Sequence, residues 1–335
     1  MDDVVELSWS HGQARVHATA AMLDDLVVTP GGRPVSPLAR RTWAPTDDTA
    51  RALPGHLRML GGDFVGAPFG SAAIPTDAPP AWQRVATALP SPAHGIAADA
   101  RWHLAADGTA ALTATLDTPH PHPLGRLVRR IRGVPGRARV EFNLEISARR
   151  THRTTVGLHP ILALPPNTPS SARSAAIEVD FAWGRVWPGR LHPAARPMAD
   201  AVFTSLAEVA AASEVGATVD LTRVPPPAPT EEVVQLVGAR SPFTLRHDDG
   251  TRVVVEWDDA AFDSVMLWIS DRGIAGPPWN GTYRGLGVEP VISAFDLPPG
   301  TSLANNPLSE AGARTSVTLQ QGRTFHAWHA IEVLV

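Results

Sequence analysis

Residues 139 to 147 alternate in character. Val140, Phe142, Leu144 and Ile146 fall on one side of an extended chain, and Glu141, Asn143, Glu145 and Ser147 fall on the other. A period of two marks a strand with one buried face and one wet face. Leu112, Ala114 and Leu116 alternate with Thr113, Thr115 and Asp117 in the same way. Further strands are predicted over 155–164, 252–257, 264–269, 315–319 and 327–335, many of them separated by turn residues such as His247-Asp248-Asp249-Gly250. Helical periodicity is scarce. The Ala-rich stretch 199–213, in which Ser205 and Glu208 have capping-box spacing, predicts one short helix. The Pro-rich stretch 224–230 predicts an extended connector. No shift in composition and no internal repeat divides the chain. The pattern predicts a mostly β protein with residues 1–335 as a single domain, a size that large β-sandwiches reach.

Composition then narrows the chemistry. With 44% hydrophobic and 19% charged residues the chain can bury a large core and is not a disordered sequence. A net charge of −4 gives no electrostatic footprint for nucleic acid or for an anionic membrane surface. Cysteine is absent, and all 29 basic residues counted as Lys plus Arg are arginines. Thiolate nucleophiles, Schiff bases, covalently held pyridoxal phosphate and a P-loop lysine are therefore excluded. Catalysis must rest on His, Asp, Glu, Ser, Thr, Arg, the single tyrosine or a metal. The acidic segment Met1 to Glu6 is no signal peptide, and no run of about 18 apolar residues suits a bilayer. A soluble, cytoplasmic protein is expected, in which the Asn280-Gly281-Thr282 sequon carries no glycan.

Several signatures fail. Gly285-Leu286-Gly287 begins like a dinucleotide loop, but Pro290 follows and there is no β-α-β setting. No Gly-x-Ser-x-Gly elbow is present. His120-Pro121-His122 and the pair His326 and His329 have weak metal-ligand spacing, and the prolines around the first point to a solvated loop. Three segments are denser in unusual residues. They are Leu60 to Gly70 with His94-Gly95 and Trp102, the strand Val156 to Pro160 with His159 inside it, and Trp268 to Pro290 with Glu289 among glycines and apolar residues. Buried ionisable groups are costly unless paired, so they tend to mark sites. A strand histidine is also commonly a hydrogen-bonded core residue, and a tryptophan such as Trp102 is commonly core packing. Sugar sites favour aromatic faces beside polar groups, a role open to Trp102 and Trp279.

At these segments the sequence resembles the aldose 1-epimerase, or galactose mutarotase-like, superfamily, closest in motif style to its hexose-6-phosphate epimerase-like members. The resemblance lies in Gly61 to Gly70, with its Gly-Gly pair and Pro-Phe-Gly, then His94-Gly95 with Trp102, the mid-chain His159 and the late Glu289, over about residues 55 to 330. It implies an all-β fold, a large twisted antiparallel β-sandwich holding a sugar. It implies roles as well: Glu289 as the base at the anomeric hydroxyl, His159 as the acid at the ring oxygen, and His94 polarising the reacting end. Such ring opening needs no cofactor and no metal. Asp63, Asp271, Asn280 and Arg58 are candidate partners for sugar hydroxyls, and Trp279 is a candidate stacking face. Where phosphate-specific relatives carry arginines, this chain has Leu60 and Ala97-Ala98-Asp99, so a neutral monosaccharide or sugar derivative is the expected partner. Assembly as a homodimer is left open. So are two other functions, a carbohydrate-binding protein without catalysis and a different carbohydrate enzyme on the same scaffold, because fold does not fix function.

Overall fold

The computed structural model describes residues 3–71, 73–168 and 171–335; Met1 and Asp2, the start of the acidic segment noted above, lie outside them. Two large sheets carry the structure. The first has ten strands in the order Val4–Trp9, Gly12–His17, Leu23–Val28, Asp63–Gly66, Val156–Leu162, Arg284–Ile292, Ser264–Asp271, Thr230–Val237, Trp183–Val186 and Val202–Phe203. The second has nine, with Thr324–Leu334 paired between Arg252–Trp257 and Arg139–Ala148 near its middle. The pairings within both sheets are antiparallel, as the alternating sequence requires of strands with one buried face.

The main apolar core fills the space between the sheets. Val65, Leu158, Leu286, Val288, Leu267 and Leu236 point into it from the ten-stranded sheet, and Leu112, Ile131, Phe142, Leu144, Val255 and Ile331 from the other. The period-two stretches thus become strands facing this core: Arg139–Ala148, Ala111–Asp117 and Arg252–Trp257. Two further apolar clusters lie on the opposite face of the ten-stranded sheet, one around Phe69, Trp187, Met266 and Phe295, the other around Trp43, Phe64, Ile161 and Tyr283. That outer face is therefore covered rather than bare.

The helix predicted over 199–213 is not formed. Two short strands, Val202–Phe203 and Val209–Ala210, occupy it, and the Ser205–Glu208 spacing yields only a turn in which the Glu208 N–H donates to the Ser205 carbonyl. Phe203 packs over Gly184, so tertiary packing at the sheet edge outweighs alanine's helix propensity. The Pro-rich connector is irregular, as expected, between Arg223–Val224 and Thr230–Val237. The described α-helices are short, none longer than five residues, and no helix is long and apolar enough to cross a membrane.

Candidate active site

Strand register brings the mid-chain histidine to the late glutamate. Gly157 faces Val291 and Ile161 faces Gly287 across the shared ladder, which sets His159 beside Glu289. The parity that sends Leu158 and Val288 into the core turns His159 and Glu289 to the outer face. Their contact is direct: Oε2 of Glu289 lies 3.3 Å from Nε2 of His159. Phe64, from the neighbouring strand, stacks on the imidazole at 4.3 Å between ring centres. Room for the carboxyl comes from Gly287, two residues earlier on the same face. A Cβ there would lie 2.3 Å from Oε1 of Glu289.

His94 reaches the pair from a loop that only glycine permits. His94 has φ +56° and Gly95 φ +82°, and a Cβ on Gly95 would meet the Ala67 and Pro68 carbonyl oxygens at 2.4 Å. Backbone bonds fix the loop, with His94 N–H donating to Gly70 and Ala67 N–H donating to His94. The His94 ring lies 5.1 Å from that of His159 and 4.8 Å from Phe69. Asp296 stands beside it, 3.5 Å from Nδ1. The loop bearing Asp296 is clamped by Gln235, which accepts from the Phe295 N–H and donates to the Ser293 carbonyl. Next to His94 lies His56, on the short helix Gly55–Arg58, with ring centres 4.8 Å apart. Neither ring nitrogen of His56 has a hydrogen-bond partner among the described residues.

Burial dominates the electrostatics. Glu289 is 0% exposed and His159 3%. Loss of water, with the Asp296 charge adding to it, holds the Glu289 carboxyl well above the usual carboxylate range. Loss of water, then the neighbouring His94, holds His159 well below the ordinary histidine value. His94 is depressed by burial and by His56, and His56 is depressed to about 3 by burial and by His159. Burial likewise raises Asp296. The cluster favours neutral side chains throughout, which leaves Glu289 and His159 sharing one proton.

A second carboxylate on this face, Glu231, escaped the reading of the sequence. It is 5% exposed, accepts from the Trp268 indole N–H at 2.9 Å and from the Ser270 hydroxyl at 2.8 Å, and is raised to about 7 chiefly by burial. Trp268 stacks on Tyr283 and lies edge-on to His159 at 6.4 Å, so one aromatic side chain lies between Glu231 and His159. Glu231 also borders a cavity of about 210 Å³ with Trp187.

The remaining candidates separate. Asp63, expected as a sugar partner, is fully buried, pairs with Arg129 and lies 2.8 Å from Nε2 of His329, facing the interior. Asp271, also expected as a sugar partner, has Arg284 at 2.6 Å and Arg272 at 3.1 Å on its carboxylate at the end of its strand. Asn280 is exposed in a turn, and its amide donates to the Pro278 carbonyl. Trp279 packs on Trp43 at 5.3 Å, and Trp43 on Tyr283, so it belongs to the aromatic wall but does not touch the acid–base pair. Arg58 is half-buried on the helix that bears His56, and its carbonyl accepts from the Trp43 indole. Trp102 is core packing, bonded to the Ala97 carbonyl. His326 is exposed while His329 is buried, which dissolves that pairing. Among the described residues no group of three His, Asp or Glu is arranged to hold a metal ion.

No protein-family model matches the sequence, and no curated protein matches it. Solved structures do match. A galactose mutarotase-like protein from Lactobacillus casei aligns over 99% of this chain and 100% of its own, with TM-score 0.61 and 15% identity. A GalM/aldose epimerase homologue from C. elegans aligns over 99% of each chain, with TM-score 0.62 and 11% identity. A galactose mutarotase-like protein from Clostridium acetobutylicum aligns over 99% of this chain and 97% of its own, with TM-score 0.59 and 12% identity. The chain has the galactose mutarotase-like fold, and its likeness to these proteins is one of fold.

Proposed function

We propose that the protein interconverts the anomers of an uncharged aldose by acid–base ring opening at His159 and Glu289. The observation that carries this reading is the 3.3 Å contact between the two groups, buried together on one face. Ring opening needs one proton taken from the anomeric hydroxyl and one given to the ring oxygen, and the hemiacetal carbon bears both oxygens. A pair holding a single proton serves both steps. Glu289, which holds the proton at rest, first passes it to His159 across their contact; Glu289 then takes the hydroxyl proton while His159 delivers its own to the ring oxygen. The free aldehyde forms, and the pair is left as carboxylic acid and neutral imidazole. After rotation about the C1–C2 bond the transfers reverse and the ring closes on the other face. His94, backed by Asp296, polarises the oxygen at the reacting end, and Glu231 with Trp268 receives sugar hydroxyls and a sugar face. Leu60 and Ala97-Ala98-Asp99, in place of the arginines of phosphate-specific relatives, favour a neutral sugar over a phosphorylated one.

A second reading, a carbohydrate-binding protein without rate enhancement, is favoured by the burial itself. A sugar reaches Glu289 and His159 only by displacing side chains above them. Anomer exchange of free aldoses, followed by NMR or polarimetry, decides between the two. Glu289→Gln and His159→Asn should each slow exchange by about 10²- to 10⁴-fold with the fold retained, the usual span of general acid–base catalysis. Thermal stabilisation by sugar with no faster exchange in the wild type selects the second reading instead.

A further inference from the structure

A cavity of about 460 Å³ opens away from the acid–base pair, with neither Glu289 nor His159 in its lining. Its polar lining includes Arg150, Arg153, His122 and His152, and no carboxylate lines it among the described residues. Most of the chain's arginines face a carboxylate, as Arg185 faces Asp200 and Arg196 faces Glu232. Among the described residues, the arginines around this cavity do not. Arg153 donates to the Leu303 carbonyl at 3.2 Å and to the Ser316 hydroxyl at 2.6 Å. Arg149, just behind the wall, donates to the carbonyls of His122 and Leu124 and to the Thr118 hydroxyl. Arg150 is exposed and makes no ion pair among the described residues. Neutral acceptors leave the full positive charge in place. The same field acts on His122, which is depressed first by burial and then by His152, Arg149 and Arg150. His152 donates from Nδ1 to the Arg150 carbonyl, and its Nε2 is buried without a partner.

Apart from Thr87 and Thr154 the rest of the wall is apolar, and it includes Leu89, Leu124 and Leu303. We propose that this cavity is a binding site for a small organic phosphate, its phosphate on Arg150 and Arg153 and its carbon body against the leucines. Guanidinium groups match phosphate oxygens two at a time, and the volume falls within the range of about 300–1,000 Å³ typical of small-molecule sites. The site is independent of the reaction assigned to the acid–base pair. It is not remote from it, because Pro68 lines the cavity and the next residue, Phe69, packs against His94.

The test is calorimetric titration of the full chain at low salt with phenyl phosphate, inorganic phosphate and phenol. Phenyl phosphate should bind at least tenfold more tightly than inorganic phosphate, and phenol should not bind. Arg150→Glu changes an exposed side chain and should fold normally, which circular dichroism verifies. A tenfold or greater loss of phenyl phosphate affinity in that variant supports the site. A smaller loss, or no binding to the wild type at millimolar ligand, overturns it. Ring proton shifts of His122 and His152 on titration give the location independently, and binding that leaves both unmoved also overturns it.

Discussion

Glu289 and His159 stand on neighbouring strands with Oε2 and Nε2 3.3 Å apart, sealed from water. Their titrations belong to the pair, because each group's charge is felt by the other. The catalytic form holds one proton. It is lost on the acid side only when His159 also protonates, below its already depressed value, and on the alkaline side only when Glu289 ionises, above its raised value. Anomer exchange should therefore stay level as pH falls through about 6.5, where an unperturbed histidine titrates. A rate that halves near that point in stopped-flow polarimetry would remove His159 from the mechanism.

Gly287 sets the position of the carboxyl. Gly287→Ala places a methyl 2.3 Å from Oε1 of Glu289, so the side chain must rotate away. A misplacement of about 1 Å can cost about 10²-fold in rate, and that loss is expected in exchange assays. Gly276→Ala serves as the control, since nothing lies within 4 Å of its Cβ. Equal rates in the two variants would show that the position of Glu289 does not matter.

We predict that Asp63 acts on stability rather than on sugar binding. Asp63→Asn leaves the Arg129 guanidinium buried without its counter-charge, a change that costs about 3–5 kcal/mol in comparable buried pairs. Urea unfolding should show the loss, while sugar affinity of the folded fraction is unchanged. Weakened sugar binding with normal stability would return Asp63 to the site.

His56 makes the fold acid-sensitive. Its folded value is depressed to about 3 from the ordinary 6.5, so its contribution is present above the unfolded value and is lost as pH falls. Between about pH 8 and about pH 4.5 this one group should remove roughly 2–3 kcal/mol. His56→Phe should lose correspondingly less stability over the same interval in denaturant titrations. Parallel curves for the two proteins would mean that His56 accepts a proton in the folded state.

Much of this was legible before any coordinates. Residues 252–257 form a strand with the bounds that alternation predicts, and His159 and Glu289, both singled out in the sequence, lie in contact. Alternation reports on one strand at a time, and the errors come from partners on others. The carboxylate of Asp63 is claimed by Arg129 and His329, 66 and 266 positions away, and nothing near it in sequence shows this. Asp271 has one partner next to it and one thirteen residues on, a pairing that only the hairpin register reveals. Glu231 did leave a signal. Glu231-Glu232 opens a strand that continues Val233-Val234-Gln235, and charge in so apolar a setting called for the same scrutiny as Glu289. His56 sits in a four-residue helix too short for any periodicity.

The position of Thr324–Leu334 has a consequence for synthesis. It pairs on both sides, with Arg139–Ala148 and with Arg252–Trp257, and the Arg137–Glu332 ion pair beside it spans 195 positions. A nascent chain that has left the ribosome only as far as Trp257 cannot zip the centre of that sheet. Until residue 334 emerges, two open strand edges stand where the missing strand belongs. Unpaired edges recruit other chains, so crowding on the polysome is the hazard this topology carries, and holding those edges apart is the service a chaperone would render it.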